Sequence, residues 1–292
     1  MKKKITLDIL IFLFIVLFVY LVSFKNNITV KSGNFIAVVY LEGTIGEVGQ
    51  NSFNSSDVKK IFGELRKNKP KGIILRISSP GGTVYETDQI YNLIKQFKIN
   101  NNIKIYVSMG EVCASGGYYI AMSSDKIFAE PLTETGSIGV IMNLLNYEEL
   151  LKKVGINIIT IKSGKFKDIG SPYRELTYDE KKMFEEIVNE MYEKFLNVVK
   201  ENRVNLDEVN LRNLAQGQIY LGSKAYKLGL VDKIGTLDDT ISELKKDLNL
   251  ETIDVKEYRI QKSFLQSLFG ETLDFLQHMK DPSQIIFEYK IN

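Results

Sequence analysis

The sequence predicts an α/β fold of repeated βα units around a largely parallel sheet. Three observations predict it. Short runs rich in β-branched residues recur from Asn34 onward, stretches with apolar residues three and four positions apart alternate with them, and glycine clusters stand where strands hand over to helices. Ile36 to Leu41, Gly72 to Ile77, Ile103 to Ser108, Ser137 to Ile141 and Ile156 to Ile161 read as buried strands. Ser56 to Lys67, Val84 to Phe97 and Tyr147 to Val154 read as the helices between them. A long helix is predicted from Thr177 to about Arg203, because Thr177 and Glu180 form a capping-box signature and neither glycine nor proline interrupts that stretch.

Both ends differ from this body. Lys2, Lys3 and Lys4 precede an apolar or neutral run from Ile9 to Phe24, which reaches the length of a membrane span if Ile5 to Leu7 join it and Asp8 snorkels. Val22, Ser23, Phe24 and Lys25 offer no small-residue cleavage site, so residues 1–29 read as an uncleaved anchor. The lysine cluster puts the N-terminus in the cytoplasm and the body outside it. Residues 30–258 form the main domain, and 259–292 an appendage in which Phe264, Leu265, Leu268, Phe269, Leu276 and Met279 recur at helical spacing before Pro282. That appendage packs on the body or a neighbouring subunit, or touches a membrane or the active site.

Composition narrows the chemistry. With 38 basic and 36 acidic residues the net charge is +2, too small an imbalance for a nucleic-acid footprint. The single cysteine, Cys113, excludes an internal disulfide framework and a multi-cysteine zinc site. The single histidine, His278, lies in the appendage, which argues against Ser-His-Asp and Cys-His machinery and against histidine-rich metal sites. A hydrolase without a catalytic histidine needs a serine beside a lysine. Such a lysine works only as the neutral amine, so its solution pKa of about 10.4 must fall through burial.

Two segments could carry such chemistry. Glu111-Val-Cys-Ala-Ser115-Gly116-Gly117 follows a predicted strand and opens a short helix, the setting in which a serine exposes its hydroxyl and the next amide faces an oxyanion. Read blandly, it is a glycine turn with Ser115 as a cap. Ser78-Ser79-Pro80-Gly81-Gly82 also joins a strand to a helix and can present amides to an oxyanion or a phosphate, although it matches neither a Walker loop nor a dinucleotide fingerprint. Lys126, Lys162, Lys165 and Lys167 are all candidate bases by position, each equally readable as an exposed charge. Cys113 could attack a carbonyl, but with no imidazole beside it a small buried residue is the better reading.

A more specific resemblance runs through residues 36 to 245. Ser-Pro-Gly-Gly at 79–82, Ala-Ser-Gly-Gly-Tyr-Tyr at 114–119, Asp-Lys-Ile-Phe-Ala at 125–129 and Thr-Gly-Ser-Ile-Gly-Val at 135–140 stand in order. Lys162-Ser-Gly-Lys-Phe-Lys167-Asp168, Ser171-Pro-Tyr-Arg174-Glu and Gly229-Leu-Val-Asp-Lys-Ile-Gly235 follow. The chain resembles the short bacterial signal peptide peptidases, SppA, of peptidase family S49, within the ClpP/crotonase fold of ββα units. Cys113 and Ser78 depart from the usual pattern, where alanine and asparagine are frequent.

The resemblance implies a serine endopeptidase in which Ser115 is the nucleophile, Lys167 the general base and Ser137 a hydroxyl that orients the lysine amine. It implies oxyanion donors at the amides of Gly82 and Gly116, and no metal or cofactor. It further implies a homo-oligomer at a bacterial membrane, cutting signal-peptide remnants and other hydrophobic peptides. A crotonase-type acyl-CoA enzyme shares the fold and the paired amides, and an inert membrane scaffold is the other alternative.

Overall fold

The computed structural model describes residues 33–47, 49, 51–261 and 287–290, the last four by backbone alone. The anchor expected in residues 1–29, the helical spacing from Phe264 to Met279 and His278 lie outside the described residues. Among the described residues no helix is long and apolar enough to cross a membrane.

Three apolar runs build the centre of the main sheet: β1 (Phe35–Glu42), β4 (Gly72–Ser79) and β6 (Lys104–Ala114). They pair in parallel, with Val39 opposite Leu75 and Leu75 opposite Val107. Alternate residues go to opposite faces, and both faces are buried, which is why these strands read as continuous apolar runs. Phe35, Ala37, Val39, Ile73, Leu75, Ile105 and Val107 enter the larger core, while Ile36, Val38, Ile74 and Tyr106 enter a smaller one.

Helices α1 (Ser55–Asn68), α2 (Val84–Asn101) and α3 (Gly116–Ala121) follow β3 (Ser52–Phe53), β5 (Gly81–Thr83) and β6. In α1 an Asn54–Asp57 capping box starts the helix, and Lys69 in the left-handed region ends it. Val58, Ile61, Phe62 and Leu65 turn one face to the core, each burial contributing about 1.5–3 kcal/mol. Leu65→Ala would cost about 2–5 kcal/mol by opening a cavity there.

The remaining strands extend the sheet. β7 (Lys126–Ala129) and β8 (Glu134–Gly136) both pair with β6 in parallel, β10 (Ile219–Leu221) closes on β8 antiparallel, β11 (Lys233–Ile234) joins β7, and β12 (Asp254–Arg259) covers the β1 edge. A second sheet runs β3, β2 (Thr44–Ile45), β5, β13 (Phe287–Lys290), β9 (Ile141–Met142). Helix α4 (Glu148–Lys153) leads toward the long α5 (Tyr178–Asn202), which starts on the Thr177–Glu180 capping box that its sequence predicts. Then come α6 (Glu208–Leu214), α7 (Gly222–Lys227) and α8 (Leu237–Asp247).

Two strand expectations require correction. Ser137 to Ile141 is not one strand: Gly136 and Ser137 adopt φ of 84° and 48°, which breaks the extended run between β8 and β9. Ile156 to Ile161 forms no strand and is not buried, with Ile159 81% and Ile161 96% exposed. No described strand pairs with that run, so its β-branched composition joins no ladder.

Candidate active site

The ends of β4, β6 and β8 bring the serine and glycine motifs together. Ser79 pairs with Cys113, and Ala114 with Gly136, so the residues just beyond each strand share one end of the sheet. Cys113 is fully buried and burial pushes its thiol up, away from the reactive thiolate.

Ser115 sits at the junction of β6 and α3 with φ 52° and ψ −116°, a region that residues with a Cβ avoid. Two bonds hold it there: its amide donates to the Gly136 carbonyl at 2.8 Å, and its carbonyl accepts from the Tyr119 amide at 2.9 Å. The side chain is buried, and its hydroxyl makes no hydrogen bond to a described residue. Strain of this kind, about 1–3 kcal/mol, is characteristic of a nucleophile held on a sharp strand-to-helix turn. The capping reading fails, because Ser115 makes no side-chain cap bond.

Ser137 follows the carbonyl that anchors Ser115. It is 9% exposed, and its amide donates to the Gln218 carbonyl at 2.7 Å. Gly136 could not be another residue, since a Cβ there would lie 2.7 Å from the Tyr220 ring.

The second glycine turn lies alongside. Ser79 is buried and its hydroxyl accepts from the Gly81 amide at 3.2 Å. Gly82 pairs with Ile45 of β2, and a Cβ on it would stand 2.0 Å from the Ile45 carbonyl oxygen. The helix start at Gly116 packs against this turn, with the Cα of Gly117 so near Ser79 that a Cβ would lie 2.9 Å from its carbonyl. Strand β13 lies along the same edge, antiparallel to β5, with Tyr289 opposite Gly82.

Lys167 is placed differently. It lies on a turn between Gly164 and Gly170, exposed, and its amine makes no hydrogen bond or ion pair with a described residue. Around it the chain from Leu145 to Tyr178 leaves Leu150, Val154, Ile159 and Ile161 on the surface. The other candidate lysines are engaged: Lys126 with Glu243 and Asp247, Lys162 with Asp168, and Lys165 with Asp179.

One role escaped sequence reasoning. Arg174, present in the Ser171-Pro-Tyr-Arg174-Glu motif, bonds both Asp168 and Glu180, and the six-residue spacing of the three opposite charges is the signal that could have found those contacts. Its guanidinium holds the Glu180 carboxyl down at about 2 and, with Lys162, keeps Asp168 well below the usual carboxylate range.

Comparison with known proteins shows the family and the fold. The family model described as peptidase family S49 matches residues 98–251, and one described as Clp protease matches residues 45–135. An Enterococcus faecium protein named "Putative signal peptide peptidase SppA" is 37% identical over 85% of this chain and 74% of its own length. "Protease 4" of Haemophilus influenzae is 32% identical over 74% of this chain and 35% of its own. Among solved structures, a 1510-N membrane-bound stomatin-specific protease with a substrate peptide superposes with a TM-score of 0.50 at 16% identity, covering 83% of this chain and 99% of that one, a likeness of fold. The acyl-CoA and scaffold alternatives fall away, for the chain belongs to peptidase family S49 and is a serine peptidase with a ClpP-like α/β fold.

Proposed function

We propose that Ser115 attacks the scissile carbonyl of a peptide while the neutral amine of Lys167 takes its proton, giving an acyl-enzyme that water then hydrolyses. The observation that carries this reading is the strained backbone of Ser115, which keeps at the sheet end, between two glycine turns, a hydroxyl without a partner among the described residues. The amides of Gly82 and Gly116 hold the oxyanion, and Ser137, one residue from the Gly136 anchor, orients the lysine. Lys167 then protonates the leaving amine.

The substrate enters as an extended strand along β5, in the manner in which β13 pairs there. Signal-peptide remnants and similar hydrophobic peptides are the expected substrates, delivered at the outer face of a bacterial membrane by an anchor in residues 1–29 with a cytoplasmic N-terminus. The exposed apolar stretch that carries Lys167 supports a homo-oligomer that buries it and desolvates the amine. The body of the enzyme in this reading is residues 30–258.

The test is hydrolysis of an apolar peptide ester and of an acyl-CoA by the purified full-length protein, beside Ser115→Ala and Lys167→Ala. Ester hydrolysis lost in both variants supports the dyad. Robust turnover by either variant refutes it.

A further inference from the structure

Asp168 directly follows the proposed base. A free carboxylate there would pair with the Lys167 amine and favour its ammonium form, which cannot accept a proton. The structure gives that carboxylate other partners. Arg174 donates to Asp168 through Nε at 2.9 Å and Nη2 at 3.0 Å, and Nη2 also bonds the Asp168 carbonyl at 3.1 Å. Lys162 Nζ reaches the same carboxylate at 2.5 Å.

The other side of the guanidinium faces Glu180, with Nη1 at 2.8 Å and Nη2 at 2.5 Å from its oxygens. Glu180 is 1% exposed and accepts from the Thr177 amide at 2.9 Å, which fixes it to the first turn of α5. Of the other charges of this stretch, Lys165 and Asp179 pair with each other at 2.5 Å, while Glu175 accepts from Arg174 Nη1 through its carbonyl at 3.0 Å and donates its amide to the Glu148 carboxylate at 3.0 Å. Lys167 alone among these groups has an amine without a partner among the described residues.

We propose that Arg174 is a positioning residue for the proton transfer: it holds the Asp168 carboxylate away from Lys167 and ties the turn that carries Lys167 to α5. The inference rests on Lys167 being the base. In that step the Ser115 oxygen bonds the carbonyl carbon as its proton passes to the lysine nitrogen, and the same proton leaves with the departing amine as the C–N bond breaks. The cycle therefore starts from an uncharged lysine, and a neighbouring free carboxylate opposes it. Only a planar, bidentate guanidinium can bond two carboxylates at once in this way, so lysine is no substitute at position 174.

The test is the pH dependence of kcat/KM on a small peptide substrate, measured on the full-length protein. In Arg174→Gln the midpoint of the alkaline rise should move up by about one pH unit or more. Adding Asp168→Asn to that variant should return the midpoint to its original place, although the lost tie to α5 keeps thermal stability low. Lys162→Gln, at an exposed lysine, should give a smaller upward move with the same reversal, and it decides the matter if Arg174→Gln does not fold. Unmoved midpoints in folded variants, or a move that Asp168→Asn does not reverse, overturn the role of Arg174. Lys167→Ala separates the two layers: an active Lys167→Ala refutes the base assignment itself, whereas an inactive one beside unmoved midpoints removes only Arg174.

Discussion

The amide of Ser115 donates to the carbonyl of Gly136 at 2.8 Å, and this bond continues the β6–β8 ladder so that Ser115 and Ser137 lie on adjoining strand ends. It also holds Ser115 at a positive φ, and the hydroxyl makes no cap bond to its own helix. In the proposed reaction the strain and the chemistry therefore belong to the same residue. Ser115→Gly should abolish peptide hydrolysis yet raise the unfolding free energy by about 1 kcal/mol, because glycine adopts this backbone without penalty. Ser115→Ala should abolish hydrolysis without that gain. Denaturant unfolding of the two variants side by side checks the difference, and equal stabilities would show that the backbone stores no strain there.

Ser137 orients a base in this reading and touches no substrate atom. Ser137→Ala should lower kcat about 10- to 100-fold and leave KM nearly unchanged. Steady-state kinetics on a peptide ester checks this, and wild-type turnover would reduce the hydroxyl to a structural role.

Much of this site was legible in the sequence because strand ends and glycine turns have strong local signatures. The runs through Val39, Leu75 and Val107 are apolar on both faces, as a covered parallel sheet requires, and Thr177 with Glu180 marked the start of α5. The illegible parts depend on partners distant in the chain. β6 continues past Ser108 to Ala114 through Gly110 and Glu111, because β4 and β8 supply the ladder on either side. β12 is mostly charged, through Asp254, Lys256, Glu257 and Arg259, and forms where the edge of β1 offers it a ladder. Ile156 to Ile161 has the composition of a strand and lacks only a neighbour. Arg174 was visible as a motif residue, but its two carboxylates are joined only once the turn folds back onto α5.

Remote from the site, Asp247 closes α8 onto the sheet. Lys126 donates to it at 2.7 Å and the Tyr106 hydroxyl also donates, so its carboxyl is held down at about 2. An aspartate whose folded pKa is depressed contributes its stability above its unfolded value of about 3.9 and loses it as pH falls through the folded value. Asp247→Asn should therefore be less stable than the wild type at neutral pH, and the gap in Tm should close between about pH 4 and pH 2. A gap that stays constant across that range would place the effect in packing.

The last prediction concerns the strand that already lies on the proposed substrate path. Phe287–Lys290 pairs antiparallel with Gly81–Thr83 on one side and with Ile141–Met142 on the other, so the backbone edge at Gly82 has a partner before any peptide arrives. An extended substrate that adds to β5 needs those same amides and carbonyls. A tethered competitor acts at an effective concentration on the order of millimolar, enough to raise the apparent KM of a weak peptide without altering the chemical step. Removing residues 287–292 should therefore lower KM several-fold and leave kcat in place. Adding the synthetic peptide of residues 285–292 to the shortened protein should restore competitive inhibition. If KM does not change, substrates reach Ser115 along another edge. If kcat falls instead, the strand supports the geometry of the Gly82 turn, because β5 then needs a neighbour on that side to hold its amides in place.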